Sequence, residues 1–253
     1  MNRSDLLCRG AKSIEHIYKH ALHRLRRVYE LSRISYRPGG RRWGADLPLR
    51  ALQSLQAGSL KYSYRGIPML KNPFEVALYQ ILLWQAKPRT IIEIGSYLGA
   101  SALWMADLMR NFGLAGRVLS IDINPPNAGF ERDDIHFIAG DARRLRETLT
   151  PQILSALPRP ILVIEDSVHD VETTLAVLRF FDRILEPGEY IVIEDGLVTD
   201  LGVAHRFNGG PGRAISQFLL ESGGRYQIDA AYCDHYGHNF TGNPNGYLRR
   251  IAG

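Results

Sequence analysis

The chain has 253 residues, of which 45% are hydrophobic, 23% charged and 9% aromatic. This balance excludes a fully disordered, collagen-like or low-complexity protein and suits one large domain or one domain with an extension. The net charge of +5 is uneven, because residues 1–50 carry +8 and residues 51–253 carry −3.

No apolar run approaches the roughly 20 residues of a membrane-spanning helix. The opening MNRSDLLCRG lacks the apolar core of a secretory signal. Cys8 and Cys233 alone supply neither a disulfide framework nor a zinc site. A cytoplasmic protein is expected.

In chain order, Ile14, Ile17, Tyr18, Ala21, Leu22, Leu25, Val28 and Tyr29 recur at helical spacing, with Lys and Arg on the other face. This predicts a basic amphipathic helix over 12–31, suited to packing on the main domain, on a second subunit or peripherally on a membrane. Residues 37–47 read as a linker, so the expected division is an extension at 1–50 and a catalytic domain at 51–253. Asn72-Pro73 predicts a helix start, and the helix ends before Pro88. The runs 90–95, 117–123, 135–142, 161–166 and 190–195 are apolar strands without polar alternation, and helices over 101–109 and 171–185 fall between them. Strands buried on both faces and separated by helices predict an α/β, doubly wound, mostly parallel sheet of Rossmann-like type. Such sheets bind ligands at the carboxyl ends of their strands.

The first strand ends in EIGSYLGAS (93–101), where Gly95 permits close backbone approach and the following helix offers free N–H groups. Its G-x-x-x-G spacing is neither the dinucleotide nor the P-loop fingerprint. A nicotinamide dehydrogenase and a P-loop NTPase are therefore disfavoured. Asp122 at the second strand end is placed to bind a ribose, and Asp141, beside Ala142, to reach an adenine. The fourth strand ends in Glu165-Asp166 with His169 one turn on, and the fifth in Glu194-Asp195. Asp166, Glu194 and Asp195 converging at one rim require a cation, and all-oxygen ligation suits Mg²⁺. His169 beside a metal is a candidate general base.

These motifs resemble the class I S-adenosylmethionine-dependent methyltransferases, and most closely the cephalosporin hydroxylase / rhamnosyl O-methyltransferase family. The stretches carrying the likeness are 66–95, 100–109, EDSVHD (165–170), EPGEYIVIEDG (186–196), GGPGRAISQFL (209–219) and NPNGYLRR (243–250). The resemblance implies S-adenosylmethionine contacts from Glu93, Gly95, Ser96, Ser101, Asp122, Asp141 and Ala142. It implies Mg²⁺ ligation by Asp166, Glu194 and Asp195, and a base at His169. The implied activity is O-methylation of a small-molecule hydroxyl, a sugar or vicinal diol of a natural product or glycolipid, by a homo-oligomeric enzyme. A catechol acceptor is the first alternative. A metal-free nucleic-acid methyltransferase using the basic N-terminus is the second. No nucleic-acid partner is expected, since EDSVHD is not such an enzyme's motif.

Overall fold

The computed structural model describes residues 3–32, 40–127, 130 and 132–253; in the first helix the side chains described are those of 15–29. Residues 37–39 of the expected linker lie outside the described residues.

The centre is a seven-stranded sheet. Its strands in chain order are β1 (Thr90–Ile94), β2 (Arg117–Asp122), β3 (Ile135–Ala139), β4 (Ile161–Glu165), β5 (Tyr190–Ile193), β6 (Tyr226–Ile228) and β7 (Tyr247–Arg250). Their spatial order is β3-β2-β1-β4-β5-β7-β6. The first five run parallel, while β7 pairs antiparallel with both β5 and β6. Every residue of β1, β4 and β5 is buried. This explains why these strands show no polar alternation. The strand order reverses between β1 and β4, which places the ligand crevice beyond their carboxyl ends.

The helices are α1 (Arg3–Ser32), α2 (Leu49–Ser59), α3 (Pro73–Ala86), α4 (Ala100–Asn111), α5 (Val171–Phe181) and α6 (Gly210–Glu221), besides shorter turns. The start of α3 is fixed by a capping box. Asn72 Oδ1 accepts from the N–H groups of Phe74 and Glu75 at 2.9 and 3.1 Å, and Glu75 Oε2 accepts from Asn72 N–H at 2.8 Å. Caps of this kind contribute about 1 kcal/mol. Helix α3 stops at Lys87, in the left-handed conformation just before Pro88. The core joins Leu78, Leu82 and Leu83 of α3 to Ile91, Ile92 and Val163 of the sheet.

The extension does not stand apart. Trp43 is 5% exposed and belongs to the main core, and Ala45 and Leu47 form a small cluster with Leu52 against Phe74 and Leu201. Helix α1 docks by its polar side. Arg27 pairs with the buried Asp200 at 2.5 Å and donates to Ala45 O at 2.7 Å, and His23 Nδ1 lies 3.1 Å from Leu201 O. The apolar stripe expected to pack faces outward, with Ile17, Tyr18, Leu25 and Val28 all exposed. No helix among the described residues is long and apolar enough to cross a membrane.

Candidate active site

Two cavities meet at the carboxyl rim. The larger, about 430 Å³, is lined by Gly95, Asp122, Gly140, Asp141, Ala142 and Ser167, among others. The smaller, about 200 Å³, is lined by Lys71, Ser101, Asp166, His169, Glu194 and Asp195, among others. Gly95, Tyr97, Asp166 and Ser167 line both. The larger suits an organic ligand in volume, and the smaller is dominated by charge.

Gly95 is the hinge between them. Its φ is +101°, and a Cβ there would sit 2.2 Å from the carbonyl oxygen of Asp166. A side chain is excluded twice over, by conformation and by the end of β4. The loop that follows is tied to β2. Ser96 N–H donates to Asp122 Oδ2 at 2.9 Å, and Ser96 Oγ lies 2.7 Å from Ser120 Oγ. Asp122 also accepts from Asn124 N–H at 2.9 Å, so this carboxylate shapes two turns while lining the larger cavity. Asp141 accepts from Arg143 N–H at 2.8 Å, capping the short turn that carries Ala142.

Glu93, Ser96 and Ser101 are placed differently from the other expected cofactor contacts, since none of them lines the larger cavity. Glu93 is 1% exposed and lines neither cavity. Ser120 Oγ donates to it at 2.5 Å. Burial pushes its carboxyl up to about 7, against the hydrogen bonds from Ser101 and Ser120. It is linked to the loop through Ser120, whose Oγ lies 2.7 Å from Ser96 Oγ. Ser101 opens on the smaller cavity together with Ser96.

Asp166, His169 and Asp195 come together, with one donor atom from each within 4.8 Å of the others. His169 Nε2 lies 3.2 Å from Asp195 Oδ2, and the His169 ring is 6.1 Å from that of Phe207. Both members of this pair hold left-handed backbone, with φ of +59° at His169 and +55° at Asp195. Non-glycine residues adopt it at a cost of about 1–2 kcal/mol, which the surrounding structure must sustain. Two carboxylates and an imidazole form a donor set that fits a divalent cation.

Glu194 does not join that trio. It is buried, with Oε2 accepting from Lys71 Nζ and Oε1 from the Tyr79 hydroxyl at 2.6 Å. Burial and the neighbouring Asp166 hold its carboxyl well above the usual range, against the pull of Lys71. Lys71 also donates to Asp166 Oδ2 at 2.7 Å and is 5% exposed. Its desolvation opposes the charge, but Asp166, Glu194 and Glu75 together outweigh it and hold the ammonium well above the ordinary lysine range. Lys71 and Tyr79 are the site residues that sequence reading missed. The available signal was a lone lysine inside an otherwise apolar run, directly before the Asn-Pro helix start.

In the C-terminal third, Asn208, Tyr236 and His238 line neither cavity: Asn208 Nδ2 donates to Glu172, His238 Nε2 lies 3.2 Å from Arg42 O, and the Tyr236 ring is 5.3 Å from that of Phe74.

The profile of the "Rhamnosyl O-methyltransferase/CmcI" family matches residues 56–251. A rhamnosyl O-methyltransferase of Mycobacterium leprae (strain TN) is 33% identical over 192 residues, covering 74% of this chain and 82% of that protein. One from Mycobacterium tuberculosis (strain ATCC 25618 / H37Rv) is 29% identical over 194 residues, covering 75% and 78%. Among solved structures, the apo structure of CmcI-N160 superimposes with a TM-score of 0.62 at 28% identity, covering 77% of this chain and 78% of that one. The CmcI-D160 structure with Mg and SAM gives 0.58 at 27% identity, covering 76% and 78%.

Proposed function

The chain belongs to the rhamnosyl O-methyltransferase/CmcI family, and from that premise we propose that it moves a methyl group from S-adenosylmethionine to a sugar hydroxyl in a Mg²⁺-dependent reaction. The coarse activity, S-adenosylmethionine-dependent O-methyl transfer, goes with the family. The observation that supports the finer reading is the junction at Gly95 and Asp166. There a cavity of about 430 Å³, sized for part of a nucleoside ligand, opens beside a charged cavity holding Asp166, His169 and Asp195.

S-adenosylmethionine supplies, when bound, an electrophilic sulfonium methyl, and Mg²⁺ supplies a Lewis acid that lowers the pKa of a hydroxyl. The chain's own work is placement and proton handling. Asp122 and Asp141 present oxygens toward the larger cavity, and Gly95 lets the backbone approach without a Cβ. Asp166 and Asp195 would hold the cation, with His169 beside it. His169 is assigned the proton-accepting role, with Asp195 orienting the imidazole: a hydrogen on Nε2 directed at Asp195 leaves Nδ1 as the basic nitrogen. Two vicinal hydroxyls match a site that offers both a divalent cation and a base. This favours a sugar diol, and the relatives named for rhamnosyl O-methylation point the same way.

Calorimetric titration with S-adenosylmethionine and with Mg²⁺, followed by a methyl-transfer screen on sugars and catechols, tests this. Cofactor binding plus a Mg²⁺ event that Asp166→Ala removes is expected, with transfer to a sugar diol that stops in EDTA. Full transfer in EDTA, or a preference for catechol over every sugar tried, would overturn the finer assignment.

A further inference from the structure

Helix α1 presents an apolar face that nothing in the described structure covers. At 100° per residue, Ile17, Tyr18, Leu22, Leu25 and Val28 fall within about 140° of arc, and each is between 38% and 69% exposed. His23 and Arg27, which dock the helix, lie on the opposite side. The helix is therefore held by its polar side, and its greasy side is turned outward by the same contacts.

The charge around this face indicates what covers it. Residues 15–29 carry four Lys or Arg and one acid, Glu15. Glu15 is paired with Lys19 at 2.6 Å, and Arg27 is committed to Asp200. Arg24 and Arg26 remain exposed on the two flanks of the apolar stripe. A second copy laid on this face would bring arginine against arginine, and like charges set together cost affinity. One helix face also falls short of the 20–30 residues a side that stable protein interfaces use. An anionic lipid surface needs no matching shape. It takes apolar side chains into the headgroup boundary and pairs the flanking cations with lipid phosphates.

We propose that α1 is a peripheral membrane anchor that lays Ile17, Tyr18, Leu22, Leu25 and Val28 into an anionic bilayer surface, with Arg24 and Arg26 on the headgroups. The anchor docks on Asp200 and Leu201, in the segment that leads away from Asp195. Binding of this kind is read without any turnover, so it stands or falls separately from the methyl-transfer reading.

The test is co-sedimentation of the full chain with vesicles of phosphatidylcholine alone and of phosphatidylcholine mixed with phosphatidylglycerol. Binding to the mixed vesicles only, weakened by added salt, is expected. Leu25→Glu should abolish it while leaving S-adenosylmethionine binding intact. The double variant Arg24→Gln/Arg26→Gln should lower partitioning roughly thirtyfold, and it decides the matter should Leu25→Glu fail to fold. No binding to the mixed vesicles overturns the proposal, as does equal binding by the double variant. A dimer that Leu25→Glu dissociates, without vesicle binding, would assign the face to a second copy. Retention on polyglutamate without vesicle binding would assign it to an acidic polypeptide.

Discussion

Lys71 and His169 divide the labour of the charged cavity. Lys71 holds Asp166 and Glu194 from the buried side, and His169 faces Asp195 at the mouth. Removing one partner of a buried ion pair leaves the other uncompensated and costs about 3–5 kcal/mol. Lys71→Met should therefore lower the thermal midpoint of the metal-free protein, and added Mg²⁺ should raise that midpoint more than it does in the wild type. An unchanged metal response, read by calorimetry or thermal denaturation, would show that the ammonium does not share the cation's place. His169→Ala should lower kcat about 10²- to 10⁴-fold with Mg²⁺ affinity retained, and added imidazole should restore part of the rate. Loss of Mg²⁺ affinity in that variant would make the imidazole a ligand instead of a base. The acids at the strand ends were legible in the sequence because strand periodicity places them at one rim. Lys71 was not, because its partners lie 95 and 123 positions further along the chain and no local pattern joins them.

At the scale of elements, β1, β4 and β5 were readable because burial on both faces leaves an uninterrupted apolar run, and β2 and the less buried edge strand β3 were readable from their apolar content. The antiparallel pair was not. Strand β6 has three residues and alternates, and β7 reads YLRR with Arg249 exposed. Arg250 is buried with Asp182 O, Asp182 Oδ1 and the Tyr226 hydroxyl accepting its hydrogen bonds, a tertiary arrangement with no sequence signature. Helix α1 was read correctly as amphipathic, but its periodicity could not say which face docks. A polar docking face is held by few contacts, so its strength rests on individual ion pairs. Arg27→Ala removes the partner of Asp200, whose side chain is fully buried and whose carboxyl burial pushes up to about 6 even with Arg27 pulling it down. Trypsin should then cleave after Arg24 and Arg26 markedly faster, with S-adenosylmethionine binding unchanged. Equal cleavage rates in the two proteins would mean that other contacts hold the helix.

For the molecule as a whole, the internal acids make stability depend on pH in a particular direction. Glu93 and Glu165 are 1% and 2% exposed. Burial, only partly offset by serine hydrogen bonds, pushes them to about 7 and about 8. Unfolded, both titrate near the ordinary 4.5. Between those limits the folded chain holds protons that the unfolded chain has released, so stability rises as the pH falls from about 8 toward 4.5. The slope reaches at most about 1.4 kcal/mol per pH unit for each group. The urea midpoint of the metal-free protein should move upward between pH 8 and pH 6, and Glu93→Gln with Glu165→Gln should flatten that rise. A midpoint that falls over this range would contradict it.

The place of β7 has a consequence for how the chain reaches this state. It is the last strand in sequence, yet it sits inside the sheet between β5 and β6. Until residues 247–250 arrive, β5 keeps one row of backbone N–H and C=O groups open, and β6 has no strand to join. A nascent chain that has made everything before β7 thus carries a bare, wholly apolar edge at Tyr190–Ile193. Such an edge is a template for pairing with a neighbour. Deleting residues 247–250 would leave that edge of β5 open, and the shortened chain should aggregate more readily than the full one.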